Sequence, residues 1–312
     1  MDVDNQFVVE PADAWDLYSN AWHSAMNHYY WYKDDPVFDF NKHEEIDEMF
    51  SDFDEPENLF LVARMQNQDE IVGVLGLRYR DLVARIRRWE PAVIPHFQET
   101  GIFTALLQHA LSDLSSIGVK RISCLLKYPE DTPDIAENHL HLYDSFDFVR
   151  DRPDSIDMTL SLNEFQMNAE HPESVHIETG EDYTFEDLAS ITVKSFTSTA
   201  EEREIHGFDK TVTEHIQATA LLQRMAEGFY GDSPDEFRKI AVADGVPAGF
   251  LGGFVSKSKY QPSTGILGPM AVLPAFRRRG IALYLVDELL KSMKEYGCEY
   301  AAVGTPAANY GA

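Results

Sequence analysis

The sequence predicts a mixed α/β (α+β) chain of two domains that repeat one unit. Three observations carry this expectation. The chain has 312 residues, more than a single hydrophobic core usually serves. Segments of strand and helix periodicity alternate along it. And Val93-Ile94-Pro95-His96-Phe97-Gln98-Glu99-Thr100-Gly101-Ile102-Phe103 can be laid without a gap on Val272-Leu273-Pro274-Ala275-Phe276-Arg277-Arg278-Arg279-Gly280-Ile281-Ala282, so that position 93 falls on 272, a displacement of 179. Val, Pro, Phe, Gly and Ile coincide.

In chain order, Phe7-Val8-Val9 reads as a strand leading into a helix over about 12–27, and 59–64 with 70–78 as antiparallel strands. After the Gly101 loop, Phe103, Leu106, Leu107, Ala110, Leu111 and Leu114 keep the i, i+3, i+4, i+7 spacing of an amphipathic helix. Gly118 stands where that helix should end in a left-handed turn, and 119–126 is a short apolar run expected to be a buried strand. The second half repeats the order: Val175-His176-Ile177, a helix over about 185–196, then strands at 238–243 and 248–255 joined by the hairpin signal Asp244-Gly245. Ala282, Leu285, Val286, Leu289, Leu290 and Met293 continue the helical register, Gly297 stops it, and 298–303 closes the unit as a strand. Strand, loop, helix and strand in that order imply a right-handed crossover, with the loop at the carboxyl end of a strand, where open α/β sheets bind ligands. Residues 163–174 are polar, contain Pro172 and hold no period. The expected organisation is therefore a first domain over 1–163, a linker over 164–174 and a second domain over 175–312.

Composition narrows the function. With 53 acidic against 26 basic residues the formal net charge is −27, a field that repels nucleic-acid backbones and anionic membrane surfaces and draws cations such as amines. An acidic surface of this kind equally serves solubility or high-salt adaptation. The first residues lack the basic and apolar regions of a secretory signal, and no apolar run is long enough to span a bilayer, so a cytoplasmic protein is expected. Cys124 and Cys298 are too few for a disulfide framework and lack metal-ligand spacing; no metal is expected.

The chemistry concentrates in Arg277-Arg278-Arg279-Gly280-Ile281-Ala282. Small residues where a helix begins let a ligand approach the backbone, and the first-turn amides are unpaired donors at the positive end of the helix dipole. That is a seat for a pyrophosphate, and arginine suits phosphate contacts. The strand before it, Leu267-Gly268-Pro269-Met270-Ala271-Val272, has glycine and proline in its middle, which suits a bulged strand with backbone groups free for a ligand. No glycine pattern for a dinucleotide or a phosphate-binding lysine loop is present.

Arg277-x-x-Gly280-x-Ala282 after Val272-Leu273-Pro274 resembles the hallmark of the GNAT acyltransferases: Arg or Gln, two residues, Gly, one residue, then Gly or Ala. The resemblance implies, in each copy, a splayed mixed sheet flanked by helices. In the second copy it implies coenzyme A pyrophosphate on the loop from Arg277, Arg278 and Arg279 to Gly280, Ile281 and Ala282, the thioester arm along Met270, Ala271 and Val272, and a coenzyme contact from Asn309. In the first copy, Gln98-x-x-Gly101-x-Phe103 departs from the pattern. Phe103 puts a ring where the family has a small residue and Glu99 adds negative charge, so this copy reads as degenerate. Leu142-Tyr143 with Phe146-Asp147-Phe148 resembles the family's Leu-Tyr segment, and Tyr143 is either a relic general acid or a packed aromatic. The corresponding segment of the second copy would fall beyond Ala312, so either the chain is cut short or another segment completes that sheet.

The activity implied is transfer of an acetyl group from acetyl-CoA, the acyl-donor cosubstrate, to a small-molecule or peptide amine by direct attack. Amides near Ala271 and Val272 are candidates for polarising the carbonyl. Glu201, Glu204, His206 and Asp209 sit where the acceptor pocket is expected, as base candidates or as plain surface polar residues. The alternative from another class is a non-catalytic acyl-CoA sensor or interaction module.

Overall fold

The apolar positions of the chain divide between two sheets, and the boundary of the two units falls between Val149 and Arg150. The computed structural model describes residues 7–29, 46–47, 49–66, 69–86, 91–126, 133–150, 154–167, 171–257 and 262–309.

In the first unit, β1 (Phe7–Pro11), α1 (Trp15–Tyr29), β2 (Asn58–Met65), β3 (Ile71–Arg80), β4 (Val83–Ile86) and β5 (Ala92–Val93) are followed by α2 (Ile102–Ser116), β6 (Arg121–Ser123) and α3 (Pro133–Asp144). The sheet order is β1-β2-β3-β4-β6 with β5 beside β3, and among the described residues only β4 and β6 pair in parallel. Strand alternation sorts the core: Leu61, Ala63 and Leu75 face α2 and α3, while Phe60, Val62 and Val74 face α1. The strand expected over 119–126 is confined to Arg121–Ser123.

The second unit contains β7 (Ser155–Ser161), β8 (Val175–Thr179), α4 (Phe185–Phe196), α5 (Ala200–His206), α6 (Lys210–Thr213), α7 (His215–Ala226), β9 (Lys239–Ala243), β10 (Val246–Val255), β11 (Thr264–Val272), α8 (Ile281–Tyr296) and β12 (Tyr300–Pro306). The order β7-β12-β11-β10-β9-β8 is antiparallel except between β11 and β12. Helix α8 covers one face through Leu285, Leu289 and Met293, and α4 with α7 covers the other through Leu188, Leu222 and Met225. Asp244 and Gly245 both take positive φ, 55° and 75°, the hairpin turn that the sequence announced.

The repeat is conserved in backbone detail. Gly101 and Gly280 open α2 and α8 in the left-handed region, at φ 81° and 77°. At the far end Gly118 and Gly297 are also left-handed, and the amides of Val119 and Cys298 reach back to Leu114 and Met293 at 3.0 and 2.9 Å, closing both helices alike.

One strand departs from the expected domain division. Ser155–Ser161, assigned to the first domain by its place in the chain, pairs along its whole length with β12, from Tyr300↔Ser161 to Pro306↔Ser155. The Leu162 amide continues the contact to the Glu299 carbonyl at 2.9 Å, and the Leu162 side chain is buried in the second core with Phe165 beside it. The described part of the expected linker is likewise packed on the second unit: His171 stacks on Tyr284 with centroids 4.1 Å apart, and Pro172 lies against Gly280. Thus another segment, β7, occupies the place next to β12 in the second sheet. Residues 168–170 and Tyr310-Gly311-Ala312 lie outside the described residues.

Candidate active site

Strands β11 and β12 pair over three residues, Thr264↔Tyr300, Gly265↔Ala301 and Ile266↔Ala302, and no further. From Leu267 onward β11 keeps its partner β10, and β12 keeps β7, so a gap opens between the two parallel strands. Within β11 the register slips from Leu251↔Met270 to Gly253↔Leu267, a bulge at Gly268-Pro269, where the sequence places its strand-breaking pair.

The alternation of an antiparallel ladder decides which peptide groups face the gap. The Leu273 amide donates to Ala248 at 2.9 Å, so Leu273 and Ala271 turn toward β10, and the intervening Val272 and Met270 turn away from it. The open backbone edge is therefore Met270 and Val272. Ala271 contributes a buried side chain to the core beneath α4 instead.

At the end of β11 a single turn over Pro274–Phe276 leads into the arginine loop. The helical ladder of α8 starts with the Tyr284 amide on the Gly280 carbonyl at 3.1 Å, leaving the amides of Ile281, Ala282 and Leu283 without intrahelical partners. The Ile281 side chain is buried while its amide stays at the helix mouth. The equivalent loop of the first unit begins in the same way and then closes on itself. Gln98 is in the right-handed helical region, whereas Arg277 is extended at ψ 158°. The Thr100 amide and hydroxyl both donate to the Phe97 carbonyl, at 3.2 and 2.5 Å.

The three arginines have separate fates. Arg277 is partly exposed but fully engaged: Nε donates to the Val272 carbonyl at 3.1 Å, Nη2 to the Ser195 carbonyl at 2.7 Å, and Nη1 to Glu202 Oε1. Arg279 pairs with Asp244 at 3.1 Å, reaches the Ser174 hydroxyl at 3.3 Å and lies over the Phe276 ring. Arg278 is exposed, in the left-handed region at φ 62°, and has no partner among the described residues. Asn309 donates to the Thr305 hydroxyl at 3.2 Å and so braces the turn after β12.

Glu202, the partner of Arg277, is a residue that sequence reasoning did not single out. Burial pushes its carboxyl up, but hydrogen bonds from Ser198, Arg277 and the Thr199 amide outweigh that and hold it at about 2. The signal was present locally as the capping box Thr199-x-x-Glu202. Of the four base candidates, Glu201 and Glu204 are exposed. Asp209 is committed to capping α6 through the Thr211 amide at 3.0 Å. His206 is buried edge-on against Phe196, and burial lowers its pKa although Glu202 and Asp209 pull it up.

In the first unit Tyr143 is a core residue. Its ring, 5% exposed, packs between Phe103 and Phe148 with centroids 5.6 and 5.1 Å away. Phe103, set opposite Ala282 by the repeat, points into that core.

Among the described residues no helix is long and apolar enough to cross a membrane. The family model described as the acetyltransferase (GNAT) family matches residues 22–148 and again 200–312. Similar solved structures include a GCN5-related N-acetyltransferase from Sphaerobacter thermophilus, 15% identical with a TM-score of 0.62 over 98% of this chain and 88% of that one. A glucosamine N-acetyltransferase region of a fungal multi-domain GH3 β-N-acetylglucosaminidase is 16% identical with a TM-score of 0.56, over 96% of this chain and 35% of that one. A tandem GNAT protein from the clavulanic acid biosynthesis pathway is 16% identical with a TM-score of 0.49, over 98% and 91%. Among curated proteins no sequence matches. With both halves matched by one family model and each half folded on its own mixed sheet, the chain belongs to the acetyltransferase (GNAT) family, as two such domains in tandem.

Proposed function

We propose that the second unit binds acetyl-CoA and transfers its acetyl group by direct attack of an amine, carried by a small molecule or a peptide, in the cytoplasm. The single observation that carries this is the juxtaposition of the unpartnered amides opening α8 with the open edge of Met270 and Val272 beside the β11–β12 gap. The helix mouth supplies donors and a positive dipole for two phosphates, with Arg278 free to add its charge. An extended arm bearing amides can pair with the edge of β11 as an added strand would.

For the chemistry, an acceptor ammonium first loses a proton to solvent, the amine lone pair attacks the thioester carbonyl carbon, the C–S bond breaks, and the proton shed by the attacking nitrogen balances the one the thiolate takes up. The Val272 N–H is turned toward the gap and suits the oxygen that gains charge as attack proceeds. The acceptor approaches from the side of α4 and α5, and the net negative charge favours a cationic ammonium there.

Titration calorimetry with acetyl-CoA, followed by a thiol-release assay over a panel of amines, tests the proposal. Binding with amine-dependent thiol release supports it. Binding without release favours the sensor reading, and absence of binding sinks both.

A further inference from the structure

The resemblance gave Arg277 to the coenzyme phosphates, but its guanidinium is already occupied in three directions. Nε holds Val272 at the end of β11, Nη2 holds Ser195 in the last turn of α4, and Nη1 holds Glu202 on α5. Its partners lie 75 and 82 positions away along the chain, so these bonds tie three separate elements together. Swinging the side chain outward would leave the Glu202 carboxylate, 17% exposed, and the Ser195 carbonyl without their charged donor.

We propose that Arg277 is a positioning residue rather than a phosphate ligand: it fixes α4 and α5, the acceptor-side helices, to the backbone edge of β11. The inference rests on the functional reading above. It also explains a detail of that edge. Arg277 occupies one lone pair of the Val272 carbonyl, which lies on the same side of β11 as the Val272 N–H. A carbonyl oxygen gaining negative charge then meets an N–H beside a carbonyl whose own negative charge is partly offset by the guanidinium. The phosphate charge falls to the helix amides and to Arg278.

The test pairs acetyl-CoA titration calorimetry with amide hydrogen exchange on the full chain. Arg277→Met should leave the acetyl-CoA dissociation constant within about threefold, while exchange across 195–206 speeds roughly tenfold and the protection that acetyl-CoA confers there disappears. Arg277→Gln keeps a donor for one carbonyl, so it should restore part of that protection. Glu202→Gln should loosen α5 in the same direction without weakening coenzyme binding. Arg278→Ala should do the reverse, weakening binding about fivefold to tenfold with unchanged exchange at 195–206. A loss of thirtyfold or more in coenzyme affinity for Arg277→Met, with exchange at 195–206 unaltered, overturns the positioning role. If wild type binds no acetyl-CoA the functional reading fails, and the exchange rates of the same variants still decide whether Arg277 anchors α4 and α5.

Discussion

Phe103→Ala tests the claim that the first unit has turned its coenzyme position into core. The ring is 6% exposed, belongs to the cluster with Leu106 and Leu107, and meets Tyr143 edge-on at 5.6 Å. Replacing a buried Phe by Ala typically costs about 3–5 kcal/mol, of which the edge-to-face pair supplies about 0.5–1.5. Phe103 lies in the first turn of α2, next to Gly101, where the backbone can settle partly into the space, so the low end, about 3 kcal/mol, is expected. The assay is unusually clean because all four tryptophans, Trp15, Trp22, Trp31 and Trp89, lie in the first unit. Tryptophan emission in urea therefore follows that unit's unfolding alone. With a slope of about 2 kcal/mol per molar, the midpoint should fall by about 1.5 M. A shift below about 0.3 M would mean that the ring is not packed, and the argument that this copy spends its groove on its core would fail.

Tyr143→Phe keeps the ring, so acetyl-CoA binding and thiol release should be unchanged and the tryptophan midpoint should move by less than about 1 M; a large loss of turnover would instead make Tyr143 a working acid. Burial lowers the pKa of His206 in the folded state, so the unfolded chain takes the proton first. Its contribution to stability is full above the unfolded value of about 6.5 and declines as the pH falls below it, by at most about 1.4 kcal/mol per unit. His206→Phe should flatten that slope between pH 7 and 5.5, measured by circular dichroism in urea; an unchanged slope would show that the imidazole is not sheltered. Because β7 completes the second sheet, a fragment over 150–312 should bind acetyl-CoA within about threefold of the full chain, while one over 164–312 should aggregate through the bared edge of β12. Equal behaviour of the two fragments would return β7 to the first domain.

How far the sequence was legible follows the range of the forces involved. The glycine caps, the helical phase of α2 and α8, the Asp244-Gly245 hairpin and the bulge at Gly268-Pro269 depend on residues within a few positions of one another, and all are found where expected. The partnership of Ser155–Ser161 was hidden because a repeat reveals copies of an element without revealing which sheet an element joins. Arg277 shows the same limit at the site. Its sequence neighbours are Arg278 and Gly280, which suggest phosphate, while its actual partners, Ser195 and Glu202, are remote. The base candidates were separated by burial and capping alone, since Asp209 and Glu204 look alike in sequence and only Asp209 is committed to backbone amides.

The two loops carry different side chains on one backbone skeleton. The residues before the turn, Ile94 and Leu273, share φ near −55° and ψ 137°, and the glycines that open the helices are within a few degrees of each other. The helix mouths are alike as well: the Ala105 amide reaches the Gly101 carbonyl at 3.0 Å as the Tyr284 amide reaches that of Gly280 at 3.1 Å, so the first-turn amides lack intrahelical partners in both loops. The difference lies in the residues between and just after. The Thr100 amide turns back onto Phe97, and Gln98 is helical where Arg277 is extended with its side chain bonded to α4 and α5. Phe103 is buried in the first core, whereas Ala282 at the equivalent position of the repeat is half-buried. The two loops thus share one backbone skeleton and differ in their side chains: an anchored guanidinium and an alanine in the second, a threonine hydroxyl and a buried ring in the first.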